Sequence, residues 1–142
     1  MALILRGRPL VPGTALGPVL AASEPLSFWG GYDPRSGEII DRRHPLAGKR
    51  AVGKILVIPL TRGSSTTTAI LLEAIRAGTA PAAIVTTGVD AFVALASIVA
   101  DEVFGMPIPI VALSNHDFAT LASDDIVAID RDGAVTVRRE DP

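Results

Sequence analysis

The second half of the chain alternates between short apolar runs and longer segments with helix-start and helix-stop residues at their ends. Ile55–Ile58 and Ala82–Val85 are continuous apolar runs, which are typical of strands buried on both faces. Segment Thr66–Ala77 carries apolar residues at helical spacing. A second helix is predicted over about Ala91–Phe104, whose first ten positions carry no charge, so we expect it to be covered on more than one side. Ile108–Leu113 supplies a further apolar run. The pattern predicts a β-α-β-α-β unit whose helices are long enough to connect parallel strands.

Residues at the ends of these segments support the predicted bounds. Asp90 is a suitable N-cap for the second helix, and Gly105 is a suitable stop. A short turn or helical segment is expected over Asn115–Leu121. The apolar runs Ile126–Ile129 and Ala134–Val137 are separated by a turn containing Asp-Gly, which predicts a hairpin near the end of the chain.

The first half has a different pattern. Residues Arg8–Arg50 are dense in Gly and Pro, with short apolar pieces between them, which favours short strands joined by tight turns. Asp33–Gly37 is the clearest turn, because Pro34 presets φ at its first corner and Gly37 accepts a left-handed exit. Together the two halves predict an α/β domain in which a β-rich N-terminal half packs against or closes around the β-α-β-α-β C-terminal half.

Length and charge limit the class of protein. A chain of 142 residues is the usual size of one domain, so we expect a single domain over residues 1–142, frayed over about 138–142. Its net charge is −2 and its basic residues form no block, so the sequence gives no support for nucleic-acid binding. The chain has no Cys, which excludes disulfides, thiolate nucleophiles, zinc knuckles and an iron-sulphur cluster held by its own thiolates.

The chain is apolar for its size, at 49% hydrophobic residues with a mean hydropathy of +0.43. The long uncharged stretches, 77–89 and 103–116, are interrupted by Gly and Pro, whereas a membrane span needs ~20 mainly apolar residues. The N-terminal apolar run is too short for a signal peptide. We therefore expect a cytoplasmic protein whose apolar surplus fills a tight core or covers a face buried against another subunit.

The strongest local signal is the Gly- and hydroxyl-rich loop Pro59–Thr68, which lies between a predicted strand and a predicted helix. Open α/β sheets bind ligands at the carboxyl ends of strands, and a helix N-terminus attracts negative charge. Arg62 can hold a carboxylate or phosphate in bidentate fashion, and Gly63 permits close backbone approach. The loop favours an anion site, although helix capping accounts for one of its hydroxyls.

Other motifs are weaker. The loop is not a Walker-type phosphate loop, and neither His44 nor His116 has a partner at catalytic or metal-ligand spacing. Both are interpreted as local hydrogen-bonding, turn or cap residues, although the role of His44 stays open. Phe28–Asp33 holds the only Trp and the only Tyr beside a double Gly, and is either a recognition surface or a small core beneath a loop.

Several segments, taken in order, resemble the small subunit, or swivelling domain, of aconitase X. The similarity runs over about residues 7–113, and the ordered set is specific where each piece alone is weak. The resemblance implies the swivelling β/β/α domain of the aconitase superfamily. The segments are Phe28–Pro34, Gly37–Asp41 followed by His44-Pro45, Arg62–Ser65 and Glu73–Gly78.

The resemblance also implies an activity. Members of this family look like dehydratases, or hydro-lyases, of small hydroxy acids, in which a large partner chain or domain carries an iron-sulphur cluster that acts on the leaving hydroxyl. The small chain contributes a catalytic Ser, which falls on Ser64, while Arg62, Gly63 and Ser65 are implied to contact a carboxylate substrate. On this reading the chain holds no metal, is inactive without its large partner, and binds neither nucleic acid nor membrane.

Two substrates and two other classes of function stay open. The family's bacterial members dehydrate cis-3-hydroxy-L-proline and its archaeal members mevalonate 5-phosphate, and the Arg- and Ala-rich composition favours the first. A phosphohistidine carrier domain would need a His in the loop, and residues 60–70 contain none. A non-catalytic anion-binding or interaction module is the remaining alternative.

Overall fold

The computed structural model describes residues 2–63 and 65–139 and confirms the mixed α/β class. An eight-stranded, nearly closed sheet forms the centre, in the order β1-β10-β9-β3-β5-β7-β8-β2, and a two-stranded ribbon of β4 and β6 lies beside it. The elements are β1 Ala2–Arg6, β2 Arg8–Val11, β3 Ala15–Ala21, β4 Leu26–Ser27, β5 Ile55–Val57, β6 Thr61–Arg62, α1 Ser65–Ala77, β7 Ala83–Thr86, α2 Ala91–Phe104, β8 Ile110–Ala112, α3 Asn115–Thr120, β9 Ile126–Ile129 and β10 Ala134–Arg138.

The predicted β-α-β-α-β unit is present as β5, α1, β7, α2 and β8, and its strands pair in parallel. Side chains alternate between two cores, as strands buried on both faces require. Leu56 of β5 faces the core beneath α1 and α2, whereas its neighbours Ile55 and Val57 face the core beneath α3 and the antiparallel strands. The predicted hairpin is also present, with β9 and β10 antiparallel.

The two ends of the strand order are consecutive in the chain, because only Gly7 separates β1 from β2. The Gly7 N–H donates to the carbonyl of Gly133 at 2.9 Å. A Cβ at Gly7 would come within 2.3 Å of Val111 Cγ1, so this close approach requires glycine. The N-terminal apolar run is therefore two strands that nearly close the sheet, an outcome that its shortness did not indicate.

The prediction of short strands throughout residues 8–50 is wrong beyond Ser27. Residues 28–54 form turns, with isolated bridges from Tyr32 to Ile39 and from Glu38 to Arg50. Gly and Pro occur so often in this stretch that strand pairing cannot extend beyond single bridges. The Asp33–Gly37 turn is confirmed, because the Gly37 N–H donates to the Asp33 carbonyl at 2.7 Å and Gly37 has a φ of 76°.

Among the helices of residues 2–63 and 65–139, none combines the length and apolar character that crossing a membrane demands.

Candidate functional site

The hydroxyl-rich loop leaves the carboxyl end of β5 and leads into α1. All three residues of β5 are buried, and the chain then forms the short strand β6, which pairs in parallel with β4 through Thr61 opposite Leu26. α1 begins at Ser65. The loop therefore lies at the edge of the parallel strands where α/β sheets bind their ligands, next to the N-terminus of a 13-residue helix.

A buried carboxylate fixes the start of this loop. Asp90 Oδ2 accepts hydrogen bonds from the Thr61 N–H at 2.8 Å and the Thr61 hydroxyl at 2.7 Å. Its Oδ1 accepts from the N–H groups of Phe92 and Val93, which confirms the predicted cap of α2. Asp90 thus joins β6 to the N-terminus of α2, so the residue before Arg62 is held by contacts to a segment 29 residues away.

The hydroxyls after Gly63 divide into internal and exposed ones. Thr67 is buried and donates to the Arg62 carbonyl at 3.1 Å, while Thr68 donates to the Phe92 carbonyl on α2 at 2.9 Å. Ser65 is exposed at the first position of α1. Gly63 has a φ of 107°, in the region that favours glycine, so the chain can turn sharply here. The hydroxyls of Thr67 and Thr68 therefore stabilise the fold through hydrogen bonds, whereas Ser65, nearer the start of the tract, faces solvent.

Ser64, the catalytic residue that the resemblance implies, lies outside the described residues. Its immediate neighbours Gly63 and Ser65 are exposed, and so is Arg62. The structure thus brings the three implied substrate-binding residues together on one short exposed segment. The assignment of roles to all four residues stays a prediction.

A polar cleft of about 370 Å³ adjoins the loop on the side of Arg62. It is lined by two carboxylates and two guanidinium groups, and His44 forms part of its wall. The Nε2 of His44 lies 3.2 Å from the Glu24 carbonyl, and its Nδ1 accepts from the Leu46 N–H at 3.1 Å. His44 is 6% exposed and has both ring nitrogens occupied by backbone, in keeping with a local hydrogen-bonding role. The lining residues are Glu24, Pro25, Asp41, Arg43, His44 and Arg62.

Sequence reasoning missed this cleft, because its members come from three separate segments. Arg43 belongs to no recognisable motif, and the only sequence signal for Asp41 is its place in a segment that resembles aconitase X. The Asp90 anchor was anticipated only in its capping role, since nothing in the spacing of Thr61 and Asp90 indicated that they meet. His116, the other His, is exposed on α3.

The aromatic segment is mostly core. Phe28 and Tyr32 are buried and stack with ring centroids 4.9 Å apart. The Tyr32 hydroxyl donates to the Thr79 carbonyl at 2.7 Å, and burial raises the pKa of Tyr32, which keeps the hydroxyl a donor. Trp29 is 68% exposed. Of the two interpretations, a core beneath the loop accounts for Phe28 and Tyr32, and Trp29 alone is available at the surface.

The donor groups of this chain do not suit an iron-sulphur cluster. Such clusters are held by Cys thiolates, with His replacing some of them in certain centres, and the 142-residue chain contains no Cys. Within residues 2–63 and 65–139, no three His, Asp or Glu side chains are grouped as metal ligands. The 142 residues therefore lack the thiolate ligands that such a cluster requires.

The domain formed by the nearly closed sheet, the ribbon beside it and the loop entering α1 is similar to the swivel domain of aconitase X. The family model described as the aconitase X swivel domain matches residues 4–137. The crystal structure of Thermococcus kodakaraensis aconitase X in its holo-form is similar, with a TM-score of 0.86 and 32% identity over 96% of this chain and 99% of that one. The chain belongs to the aconitase X swivel domain family.

Two kinds of curated relative are similar to this chain. The cis-3-hydroxy-L-proline dehydratase of Pseudomonas aeruginosa is 47% identical over 135 residues, which cover 95% of this chain and 23% of that protein. The phosphomevalonate dehydratase small subunit of Methanothermobacter thermautotrophicus is 37% identical over 88% of this chain and 92% of that subunit. The chain thus spans about a quarter of the first relative and nearly all of the second.

Proposed function

We propose that this chain is the small subunit of an aconitase X-type dehydratase, a hydro-lyase that removes water from a small hydroxy acid, and that cis-3-hydroxy-L-proline is its substrate. The observation that carries the proposal is the 47% identity with the Pseudomonas aeruginosa cis-3-hydroxy-L-proline dehydratase over 95% of this chain. The exposed loop at the ligand-binding edge of the sheet is consistent with a site for a small carboxylate.

Ser64 is the proposed base. A neutral Ser hydroxyl is too weak a base for this reaction, so Ser64 would act as an alkoxide that takes the proton from the carbon next to the substrate carboxylate. The free N–H groups at the start of α1 and the Arg62 guanidinium favour negative charge beside it. Arg62 would bind the carboxylate, while Gly63 and Ser65 would offer it backbone N–H and hydroxyl donors.

A larger polypeptide would complete the site. Because this chain offers no thiolate, the iron-sulphur cluster would be held by that partner and not by this chain. The proposal therefore predicts that the isolated chain binds a small carboxylate weakly and has no activity. The alternative, an anion-binding module without catalysis, predicts strong thermal stabilisation of the isolated chain by a small carboxylate.

The decisive variant is Ser64→Ala, tested in the complex with the large polypeptide under anaerobic conditions. We expect the rate of dehydration to fall by about 1000-fold or more, because general-base catalysis is lost, while association of the subunits is unchanged. Thr66→Ala is the matched control, since Thr66 carries an exposed hydroxyl two positions further along the chain, at the second position of α1. Full activity in Ser64→Ala would place the base elsewhere.

The second candidate substrate is mevalonate 5-phosphate. It is favoured by the 37% identity with the Methanothermobacter thermautotrophicus small subunit over nearly the whole of that protein. Assaying the same complex with both hydroxy acids separates the two, since the proposal expects measurable turnover of cis-3-hydroxy-L-proline and none of the phosphorylated acid.

A further inference from the structure

The outer side of α2 is apolar where a solvent-facing helix would be polar. Phe92, Leu95 and Ile98 recur every three residues along it and are 38% to 49% exposed. No charged residue occurs between Ala91 and Ala100, and the first acidic residues of the helix are near its C-terminal end. Monomeric proteins seldom expose contiguous apolar surface of this kind, and where they do it marks an interface.

This surface continues off the helix toward the candidate site. A groove of about 390 Å³ at the N-terminal end of α2 is lined by residues that include Leu60, Val89 and Phe92. Leu60 is 47% and Val89 62% exposed. We call Leu60, Val89, Phe92, Leu95 and Ile98 the α2 face. Because Leu60 precedes Thr61 and Arg62, the α2 face and the hydroxyl-rich loop share one edge of the molecule.

We propose that the α2 face is the docking surface for the large polypeptide of the dehydratase. About three quarters of the Pseudomonas aeruginosa relative lies outside the part that this chain matches, and the Methanothermobacter thermautotrophicus relative is named a small subunit. The same domain thus occurs both joined to a much longer chain and as a separate subunit. The inference rests on the proposed function, in which that larger polypeptide completes the site at the hydroxyl-rich loop.

A second apolar surface lies on the antiparallel strands, and its position argues against it as the docking surface for the large polypeptide. Ile4, Leu16 and Ile126 are exposed on the antiparallel strands β1, β3 and β9, where Ile4 and Leu16 belong to one cross-strand row through Thr136 and Ala128. Leu16 lies toward the amino end of β3, which is parallel to β5, so the row is away from the carboxyl end of β5 where the loop begins. A polypeptide that shares a substrate with Arg62 and Ser65 must approach the edge where the loop lies, and the α2 face offers it an apolar surface there.

The test measures binding of the full chain to the large aconitase X polypeptide of the same organism by calorimetric titration. Leu95→Glu places a charge in the middle of the α2 face, and we expect it to weaken the affinity at least 10-fold. Leu16→Glu is the matched control, since Leu16 is 70% exposed on the antiparallel strands, and its affinity should equal that of the parent chain. Thermal melts of the free variants check folding, and Val89→Glu replaces Leu95→Glu should the latter not fold.

Each result bears on the proposal. Equal affinities for the two variants, or a loss confined to Leu16→Glu, would overturn it. So would a parent chain that forms a dimer in sizing experiments which Leu95→Glu alone breaks, because a second copy would then occupy the α2 face. Absence of any complex would overturn both this inference and the proposed function. A complex that Leu95→Glu weakens but that dehydrates neither hydroxy acid would support the docking surface and contradict the proposed function.

Discussion

The helices α1 and α2 cover the same core in similar ways, but the outer side of α1 is charged and that of α2 is apolar. Leu71, Ala74 and Ile75 of α1 and Val93, Ala96 and Ala100 of α2 pack into one cluster. The outer side of α1 carries an ion pair between Glu73 and Arg76, while that of α2 is the apolar surface proposed for docking. Folding requires only the inner sides, so the packing of the core does not account for the difference between the outer sides.

The helices also differ in how they are attached to the rest of the molecule. α2 is capped at its N-terminus by buried Asp90 and ends at Gly105, whose φ of 64° is left-handed. Its buried Ser97 accepts from the Ile108 N–H at 2.8 Å and donates to the Ile108 carbonyl at 2.6 Å. On α1, the hydroxyl of buried Thr67 donates to one backbone carbonyl, that of Arg62. We therefore expect α2 to be the more sensitive helix to loss of buried polar groups.

The largest effect is expected for Asp90→Ala. The substitution removes the cap of α2 and leaves the Thr61 N–H and hydroxyl without their acceptor, which should lower the free energy of unfolding by about 3 kcal/mol. Urea denaturation measures the change as a lower midpoint at an unchanged slope. Asp101→Ala, an exposed acidic residue of the same helix, is the control and should unfold like the parent chain. Equal midpoints for the two variants would contradict the anchoring role of Asp90.

Removing a buried hydroxyl should lower the free energy of unfolding by a smaller amount, and the loss should be larger for α2 than for α1. Ser97→Ala leaves both the N–H and the carbonyl of Ile108 unpaired, which should cost about 2 kcal/mol. Thr67→Val keeps the shape of the side chain and removes one donor, which should cost about 1 kcal/mol. The same denaturation experiment ranks them, and a larger loss for Thr67→Val would reverse the comparison between the helices.

The smallest effect is expected on the outer side of α1. The hydrogen bond and charge of Arg76 lower the pKa of Glu73, so the carboxylate stays ionised at pH values below the usual range for Glu. The attraction is fully present above that usual range and is lost as the pH falls through the lowered value. Both side chains face solvent, where such pairs contribute little. Arg76→Ala should therefore leave the melting temperature at pH 7 unchanged at low and high salt. A clear drop at low salt would mean that α1 depends on its ion pair.

The elements with local signals could be predicted from the sequence. The bounds of α2 follow from Asp90 and Gly105, whose side-chain cap and left-handed φ act within one turn of the helix. The β9 and β10 hairpin has a similarly local signal in its Asp-Gly turn. The strand β1 could not be predicted, because it pairs with β10, which lies near the other end of the described chain.

The part of the candidate site that is local in sequence could also be predicted. Arg62, Gly63 and Ser65 are neighbours in the chain, so a motif could indicate them together, and their roles stay predictions. The link from Asp90 to Thr61 and the cleft that joins Arg43 to Arg62 arise only after the loops of different strands meet. Pairwise geometry of this kind has no counterpart in local residue patterns.

The pairing of β1 with β10 sets Ala2 directly opposite Arg138. Both ends of the described fold consequently emerge side by side from neighbouring strands. A unit built this way can be spliced to a longer chain through either terminus, or cut free of it, without repacking its interior. The adjacency of the two chain ends explains how the same domain can occur as a separate subunit in one relative and as a segment of a much longer polypeptide in another.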